Sequence, residues 1–341
     1  MELAGLGDNV HLLPALWSLR RKFPDADLHV MVSQHVGDLF RLTPWVNRVW
    51  LYPRVPRRPG LVENIRWARR LRAERFDLVV NTTGSDRSAL LTWATGAPQR
   101  FGRRPPGGGR FWWPWMFTRV LEYPFWQEPM YRQKLAVLAQ AGLADESAQA
   151  AHFEVAVDSA WRRELGILAD EDCSYIHLSP CAGHPQKELP LQQLAQLYAR
   201  LRETFPRLQI ALSCADLPRE RQRLEALLPL LPERPWKIFS GTLDIPKLTA
   251  VIQGAALHVC GDSGSLHLAF MTGVPAVAWF RAHVNQKEWI PQGPRYRVLV
   301  APDAEPRDAL HGIDNNALLA AATELLEQES HAPQDGDTAA K

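Results

Sequence analysis

Cysteine is scarce in this chain of 341 residues: Cys173, Cys181, Cys214 and Cys260 stand apart, with no CxxC spacing. That argues against a structural zinc site or a disulfide framework and fits a reducing, cytoplasmic compartment. Long apolar runs are missing as well, with none near the roughly 18 residues that a membrane span needs. Met1-Glu2-Leu3-Ala4-Gly5 has neither the basic region nor the apolar core of a secretion signal. A GxGxxG pattern starts at Gly5-Leu6-Gly7, but Val10 stands where its third glycine belongs, so the dinucleotide fingerprint is weak. No recognised DNA- or RNA-binding motif is present, which argues against nucleic acid as a partner.

What the chain does have is a charge asymmetry. The net charge is +2, yet residues 1–150 carry 21 Lys/Arg against 13 Asp/Glu, and residues 151–341 carry 18 against 24. A basic front half fits an acidic partner such as an anionic lipid or a phosphorylated glycan; ordinary solvated arginine is the plainer reading. A hydrophobic fraction of 46% and a charged fraction of 22% fit a globular protein.

Apolar runs alternate with helical patterns along most of the chain. Strands are expected at 28–32, 46–51, 78–80, 174–178, 208–212, 236–239, 255–260, 275–280 and 296–300. Helices are expected between them, including a basic one over 61–75 and one over 131–143. This order predicts α/β architecture with mostly parallel, doubly wound sheets. The expected division is a first domain over 1–150, a second over 151–329 and a polar, disordered tail over 330–341. Only Met1-Glu2-Leu3-Ala4 precedes the turn at Gly5, so the first strand reads as truncated.

Three stretches carry chemistry. The apolar run ending at Cys260 stops at Gly261-Asp262-Ser263-Gly264-Ser265-Leu266-His267, and a helical pattern follows. A strand–turn–helix junction offers unpartnered amides and a positive dipole end to an anion, most simply a phosphate or diphosphate. The plainer reading is an ordinary turn capped by Asp262 or Ser263. Near the start, Asp8 and His11 sit in the turn or first helical residues after the first strand. Residues 100–126 break the alternation: Arg100, Arg103, Arg104 and Arg110 flank Pro105-Pro106-Gly107-Gly108-Gly109, and Phe111-Trp112-Trp113-Pro114-Trp115 follows. Arginines beside exposed aromatics suit a sugar or a lipid headgroup, although at least half of those aromatics are expected in the core. Asp25-Ala26-Asp27 looks like a DxD metal motif but lies at the wrong end of the next strand, so no metal site is expected.

Gly7-Asp8 followed by Pro14-Ala15-Leu16 is similar to the opening signature of the lipopolysaccharide heptosyltransferases, glycosyltransferase family 9. Lys187-Glu188-Leu189-Pro190 resembles their K-x-W-P loop, with Leu189 in place of Trp, and Asp262-Ser263-Gly264-Ser265-Leu266-His267 resembles their D-[TS]-G-x-x-H. With the Gly273-Val274-Pro275 that follows the third, the three motifs span residues 7 to 275 in the family's order. The resemblance implies a GT-B fold, two Rossmann-like domains facing a central cleft. It also implies inverting, metal-independent transfer of heptose from ADP-heptose to a lipopolysaccharide inner-core acceptor, with no cofactor.

The family pattern makes Asp8 the general base and places Lys187, Ser263, Gly264 and His267 on the donor's diphosphate. Asp262 holds the donor sugar or the turn itself. Glu220 or Asp216 matches the family's ribose-reading acid, although the loop aligns poorly. His11 is a rival base or a structural histidine; His11, Arg100, Arg103 and Arg104 are acceptor-side candidates. Expected partners are a nucleotide-sugar donor and an anionic, lipid-linked oligosaccharide, with peripheral contact at the inner leaflet through residues 100–117. Two rivals stay open: a GT-B transferase for another nucleotide sugar, and an inactive, binding-only relative.

Overall fold

The apolar runs become parallel strands because both faces of each sheet are covered by helices, the arrangement in which strands lose their polar alternation. The computed structural model describes all residues except 54–58, 104, 106, 122–125, 127, 145–154, 168–173, 284, 303–309, 311 and 332–341. The chain divides into two compact units, Met1–Ala156 with Lys287–Trp289, and Val157–Gln286 with Ile290–Lys341.

In the first unit the elements are α1 (Leu6–Val10), α2 (Leu13–Lys22), β1 (His29–Ser33), β2 (Arg48–Tyr52), α3 (Leu61–Ala73), β3 (Leu78–Asn81), α4 (Asp86–Ala94), β4 (Gln99–Arg103), β5 (Arg119–Leu121) and α5 (Met130–Gln140). β1 pairs with β2, and β3 with β4 and then β5, all in parallel. Residues 1–3 lie between these two ladders. Glu2 forms a parallel bridge to Val32, and its amide donates to Met31 O at 2.9 Å. On the other side the Met1 ammonium donates to Val80 O at 2.7 Å, and the Thr82 amide donates to Met1 O at 3.1 Å. The expected truncated strand is therefore a stub that still links β1 to β3. An apolar cavity of about 670 Å³ lies beside it, lined by Met1, Leu16, Val30, Leu71 and Leu78 among others.

Two strands went unread in the sequence. The stretch 100–126 is expected to break the alternation, yet residues 99–103 and 119–121 form β4 and β5. Their apolar content is too low for the pattern to show, and Arg100 and Arg103 sit within β4. Gly102 is there because Phe117 crosses it: a Cβ would lie 2.4 Å from the ring.

The second unit comprises α6 (Ser159–Glu164), β6 (Tyr175–Leu178), α7 (Leu191–Thr204), β7 (Gln209–Cys214), α8 (Pro218–Leu227), β8 (Lys237–Ser240), α9 (Ile245–Gln253), β9 (Leu257–Gly261), α10 (Gly264–Thr272), β10 (Ala276–Phe280), β11 (Tyr296–Val300) and α11 (Asn315–His331). The sheet runs β8-β7-β6-β9-β10-β11, all parallel. This is the doubly wound order with its switch point between β6 and β9, where ligands bind at the carboxyl ends of strands. Ile176, Leu178, Val259 and Val277 pack with Leu194 and Tyr198 of α7 and Leu318 and Leu325 of α11. Tyr175, Ala211 and Phe239 meet Val251 of α9 in a second cluster. α11 runs to His331, two residues into the expected tail; 332–341 lie outside the described residues.

Candidate active site

Both strands at the switch point of the second unit end in a motif loop. β9 ends at Gly261, and α10 begins at Gly264. β6 ends at Leu178, and the loop after it carries a short 3-10 turn at Pro185–Lys187. Gly261 lets the two loops touch. A Cβ there would lie 2.6 Å from Lys187 O and 2.8 Å from Trp279 Nε1. The same indole donates to Lys187 O at 3.0 Å, pinning the loop's backbone against β9 and β10. The neighbouring Glu188 carboxylate is buried; it accepts from the Ala182 amide at 2.8 Å and pairs with Arg219 at 2.6 Å and Arg223 at 3.3 Å. Leu189, fully buried, fills the core below.

Held this way, Lys187 Nζ lies 2.6 Å from Asp262 Oδ2. Ser263 occupies the N-cap of α10, but its side chain makes no capping bond. Its hydroxyl lies 2.8 Å from Ser265 Oγ instead. The first-turn amides therefore keep their hydrogen-bonding capacity for a ligand, and the helix dipole favours negative charge there. His267 is buried, and burial lowers its pKa to about 4; Asp262 pulls the other way. It is therefore neutral at physiological pH.

Asp8 belongs to the first unit, in the third position of α1. Its Oδ2 accepts from the Gly5 amide at 3.2 Å. Burial raises its pKa to about 6, and the negative charge of Glu2 adds to this; Lys134 and the amides of Gly5 and Asp8 oppose it. Glu2 itself forms a fully buried ion pair with Lys134 and accepts from Thr82 Oγ1 at 2.7 Å. Burial alone would raise the Glu2 pKa, but Lys134 and Thr82 hold it below the ordinary carboxylate value. A carboxylate titrating near 6 is charged at neutral pH and basic enough to take a proton, the balance a general base needs.

The sequence pattern of "Glycosyltransferase family 9 (heptosyltransferase)" matches residues 64–315. The chain belongs to glycosyltransferase family 9. The chain of this family 9 enzyme is 24% identical to lipopolysaccharide heptosyltransferase 3 of Escherichia coli K12 over 296 residues, 83% of this chain and 82% of the relative. Its fold is similar to that of a glycosyltransferase of family 9 from Veillonella parvula, with a TM-score of 0.82, 19% identity and 96% of each chain covered. It is also similar to E. coli heptosyltransferase WaaC solved with ADP-2-deoxy-2-fluoro heptose, with a TM-score of 0.73, 18% identity and coverage of 96% of this chain and 98% of the other. With the parallel sheets of the two units, these likenesses give the GT-B fold.

In this glycosyltransferase the remaining sequence candidates fall into different settings. His11 is buried, with Tyr131 stacked on it at 6.2 Å and the edge of Trp289 at 5.9 Å. The basic loop expected around Arg100 and Arg103 is corrected by β4. Arg100 donates to Met116 O at 3.0 Å and Ala97 O at 2.5 Å. Arg103 is 6% exposed and donates to Gln133 Oε1 at 2.6 Å, and Gln133 in turn donates to buried Glu288. Both guanidiniums hold the first unit together. Arg104 lies outside the described residues. Glu220 is 8% exposed and accepts from the Ala215 amide at 2.9 Å, organising the loop after β7, while Asp216 pairs with Arg221 at 2.6 Å.

Sequence reasoning missed His283, three residues past β10. Its Nε2 is buried without a hydrogen-bond partner among the described residues, 3.9 Å from Asp262 Oδ2. The aromatic cluster divides: Trp113 is fully buried, whereas Phe111 and Trp115 are 83% and 69% exposed. Among the described residues no helix is long and apolar enough to cross a membrane.

Proposed function

We propose that this family 9 enzyme transfers heptose from ADP-heptose to a lipopolysaccharide inner-core acceptor, with inversion at the anomeric carbon and without a metal. The observation that carries the reading is the Lys187–Asp262 pair at the uncapped N-terminus of α10, a built anion site at the switch point of the second sheet. The donor's diphosphate takes the first-turn amides around Gly264 and the Lys187 ammonium. Asp262 and His283 flank it, and neutral His267 contributes hydrogen bonding. The acceptor hydroxyl attacks the anomeric carbon and gives its proton to Asp8, while the bond to the diphosphate breaks and ADP leaves with added negative charge. Fixed donors stabilise that charge, and the loss of one such donor typically costs about 3–4 kcal/mol.

The basic first unit suits an acceptor that carries phosphate and carboxylate groups. Phe111 and Trp115, exposed and edge to face at 6.0 Å, are the residues that would meet the inner leaflet. Sedimentation with anionic vesicles at low salt tests this contact: the protein should co-sediment, and Phe111→Ser with Trp115→Ser should stay in solution. For the reaction, purified protein incubated with ADP-heptose and heptose-deficient core should release ADP in the presence of EDTA and give a product of inverted anomeric configuration by NMR. Release of ADP only when a divalent ion is restored, or retention of configuration, would reject that part of the reading.

A further inference from the structure

A row of polar side chains, buried except for half-buried Ser263, crosses the second sheet and ends at the donor loop. It begins at Ser213 on β7, passes through His177 on β6 and His258 on β9, and reaches Ser265 and then Ser263 at the start of α10. The contacts are Ser213 Oγ to His177 Nε2 at 2.9 Å, His177 Nδ1 to His258 Nδ1 at 3.0 Å, His258 Nε2 to Ser265 Oγ at 3.1 Å, and Ser265 Oγ to Ser263 Oγ at 2.8 Å. Both histidines are fully buried, with rings 12° from parallel. None of the catalytic steps above uses them.

We propose that this row is a hydrogen-bond chain of one fixed polarity, which turns the Ser263 hydroxyl into an acceptor toward the ligand. The identity of that ligand rests on the donor assigned under the proposed function; the polarity of the chain does not.

The direction follows from one carbonyl. His258 Nδ1 faces His177 O at 3.2 Å as well as His177 Nδ1. A carbonyl oxygen only accepts, so His258 Nδ1 carries the proton; the opposite tautomer would set its lone pair against that carbonyl. His177 Nδ1 then accepts. Both rings are neutral, because burial drives the His177 pKa well below its ordinary value and that of His258 to about 4. A neutral His177 with a bare Nδ1 carries its proton on Nε2 and donates to Ser213. A neutral His258 with Nδ1–H has a bare Nε2, and its neighbour is Ser265 Oγ. Ser265 must donate to it, since a buried acceptor left unmet is costly. Its single proton is then spent, so the 2.8 Å contact to Ser263 is made by the Ser263 proton. The Cys260 thiol, which touches both serines, keeps its proton because burial pushes its pKa up to about 12.

Ser263 Oγ thus presents lone pairs at the mouth of α10. A phosphoryl oxygen offers it no proton, and a sugar hydroxyl does. Ser263 becomes a positioning and specificity residue for a hydroxyl of the transferred sugar, while the diphosphate is left to Lys187 and the amides. The histidines, set in the middle of the sheet, act through the two serines and touch no substrate.

Two measurements test this on the full chain. Long-range ¹⁵N–¹H NMR of histidine-labelled protein should show His258 protonated on Nδ1 and His177 on Nε2 across pH 6 to 8, assigned by the shift of the His258 signals in Ser265→Ala. His258 protonated on Nε2, or either ring charged in that range, would overturn the chain. Calorimetry with two probes tests the consequence. Ser263→Ala should bind ADP within about threefold of wild type and ADP-heptose at least tenfold more weakly, with Ser263→Thr restoring the difference. A tenfold loss for ADP itself would mean that Ser263 donates to phosphate and would refute the acceptor role. If wild-type protein binds neither probe, the donor assignment fails, and the tautomers still decide the polarity.

Discussion

Replacing Asp8 by Asn removes a charge from a site that resists it, so activity and stability should move in opposite directions. The Asn side chain keeps a carbonyl oxygen that can accept from the Gly5 amide, as Asp8 Oδ2 does at 3.2 Å. What it loses is the capacity to take a proton, and kcat should fall by about 10²–10⁴. The stability change follows from linkage. The Asp8 pKa rises from 3.8 to about 6 in the folded protein. Between those values the native state binds more protons than the unfolded chain, so wild-type stability declines as pH rises through the window and then levels off. A shift of about two units corresponds to at most about 3 kcal/mol, less what water at the partly exposed carboxyl screens away. Urea unfolding of both proteins at pH 4 and pH 7.5 measures this. The two should be nearly equal at pH 4, and the Asn variant more stable by about 1–3 kcal/mol at pH 7.5. In parallel, wild-type kcat/KM should drop below a pH of about 6 as the carboxylate is protonated. A variant less stable than wild type at pH 7.5, or one that keeps near-normal kcat, would refute the placement of a strained, charged base at Asp8.

The remaining predictions concern its surroundings and the anion site. Lys187→Ala should lower kcat and weaken donor binding together, by an amount approaching the 3–4 kcal/mol typical of about one lost transition-state donor; unchanged kinetics would remove Lys187 from the site. Gly261→Ala places a methyl 2.6 Å from Lys187 O and should cost about 1–3 kcal/mol in urea unfolding while raising the Kd for ADP, because the Trp279 pin is displaced. Lys134→Met strands the buried Glu2 carboxylate and should destabilise by about 3–5 kcal/mol, with most of the loss recovered when Glu2→Gln is added.

The sequence carried the second unit well and the first less so. In β6, β9 and β10 the apolar runs are nearly continuous because both faces are covered, and their ends at Leu178 and Gly261 mark the site loops directly. β4 and β5 were hidden because Arg100, Arg103 and Arg119 stand where apolar residues would have signalled a strand. Arg100 and Arg103 read as a ligand surface because charge in a sequence says nothing about its partner; Gln133 and the carbonyl of Met116 are distant in the chain. Asp8, Lys187 and Asp262 were visible through motif spacing, yet the Lys187–Asp262 pairing depends on Gly261 and Trp279, which no local pattern links. His283 had no signal at all, since its relation to Asp262 exists only after β10 is laid beside β9. The stub at residues 1–3 reads in the sequence as a truncated strand. Its hydrogen bonds to Met31, Val80 and Thr82 show that a few residues suffice to join two ladders.

The ion pair between Lys187 and Asp262 also sets a threshold for occupancy. With the ammonium 2.6 Å from its own carboxylate, the resting loop is close to electrically neutral. An incoming anion must draw Lys187 away from a partner it already has. A small, abundant ion such as inorganic phosphate gains little from that exchange, whereas a diphosphate spans the helix amides and the lysine together. If the proposed donor site is right, the loop should discount the anions of its surroundings and respond to ligands with charge at two places at once. Competition by phosphate should be weak, and inhibition by pyrophosphate should exceed it.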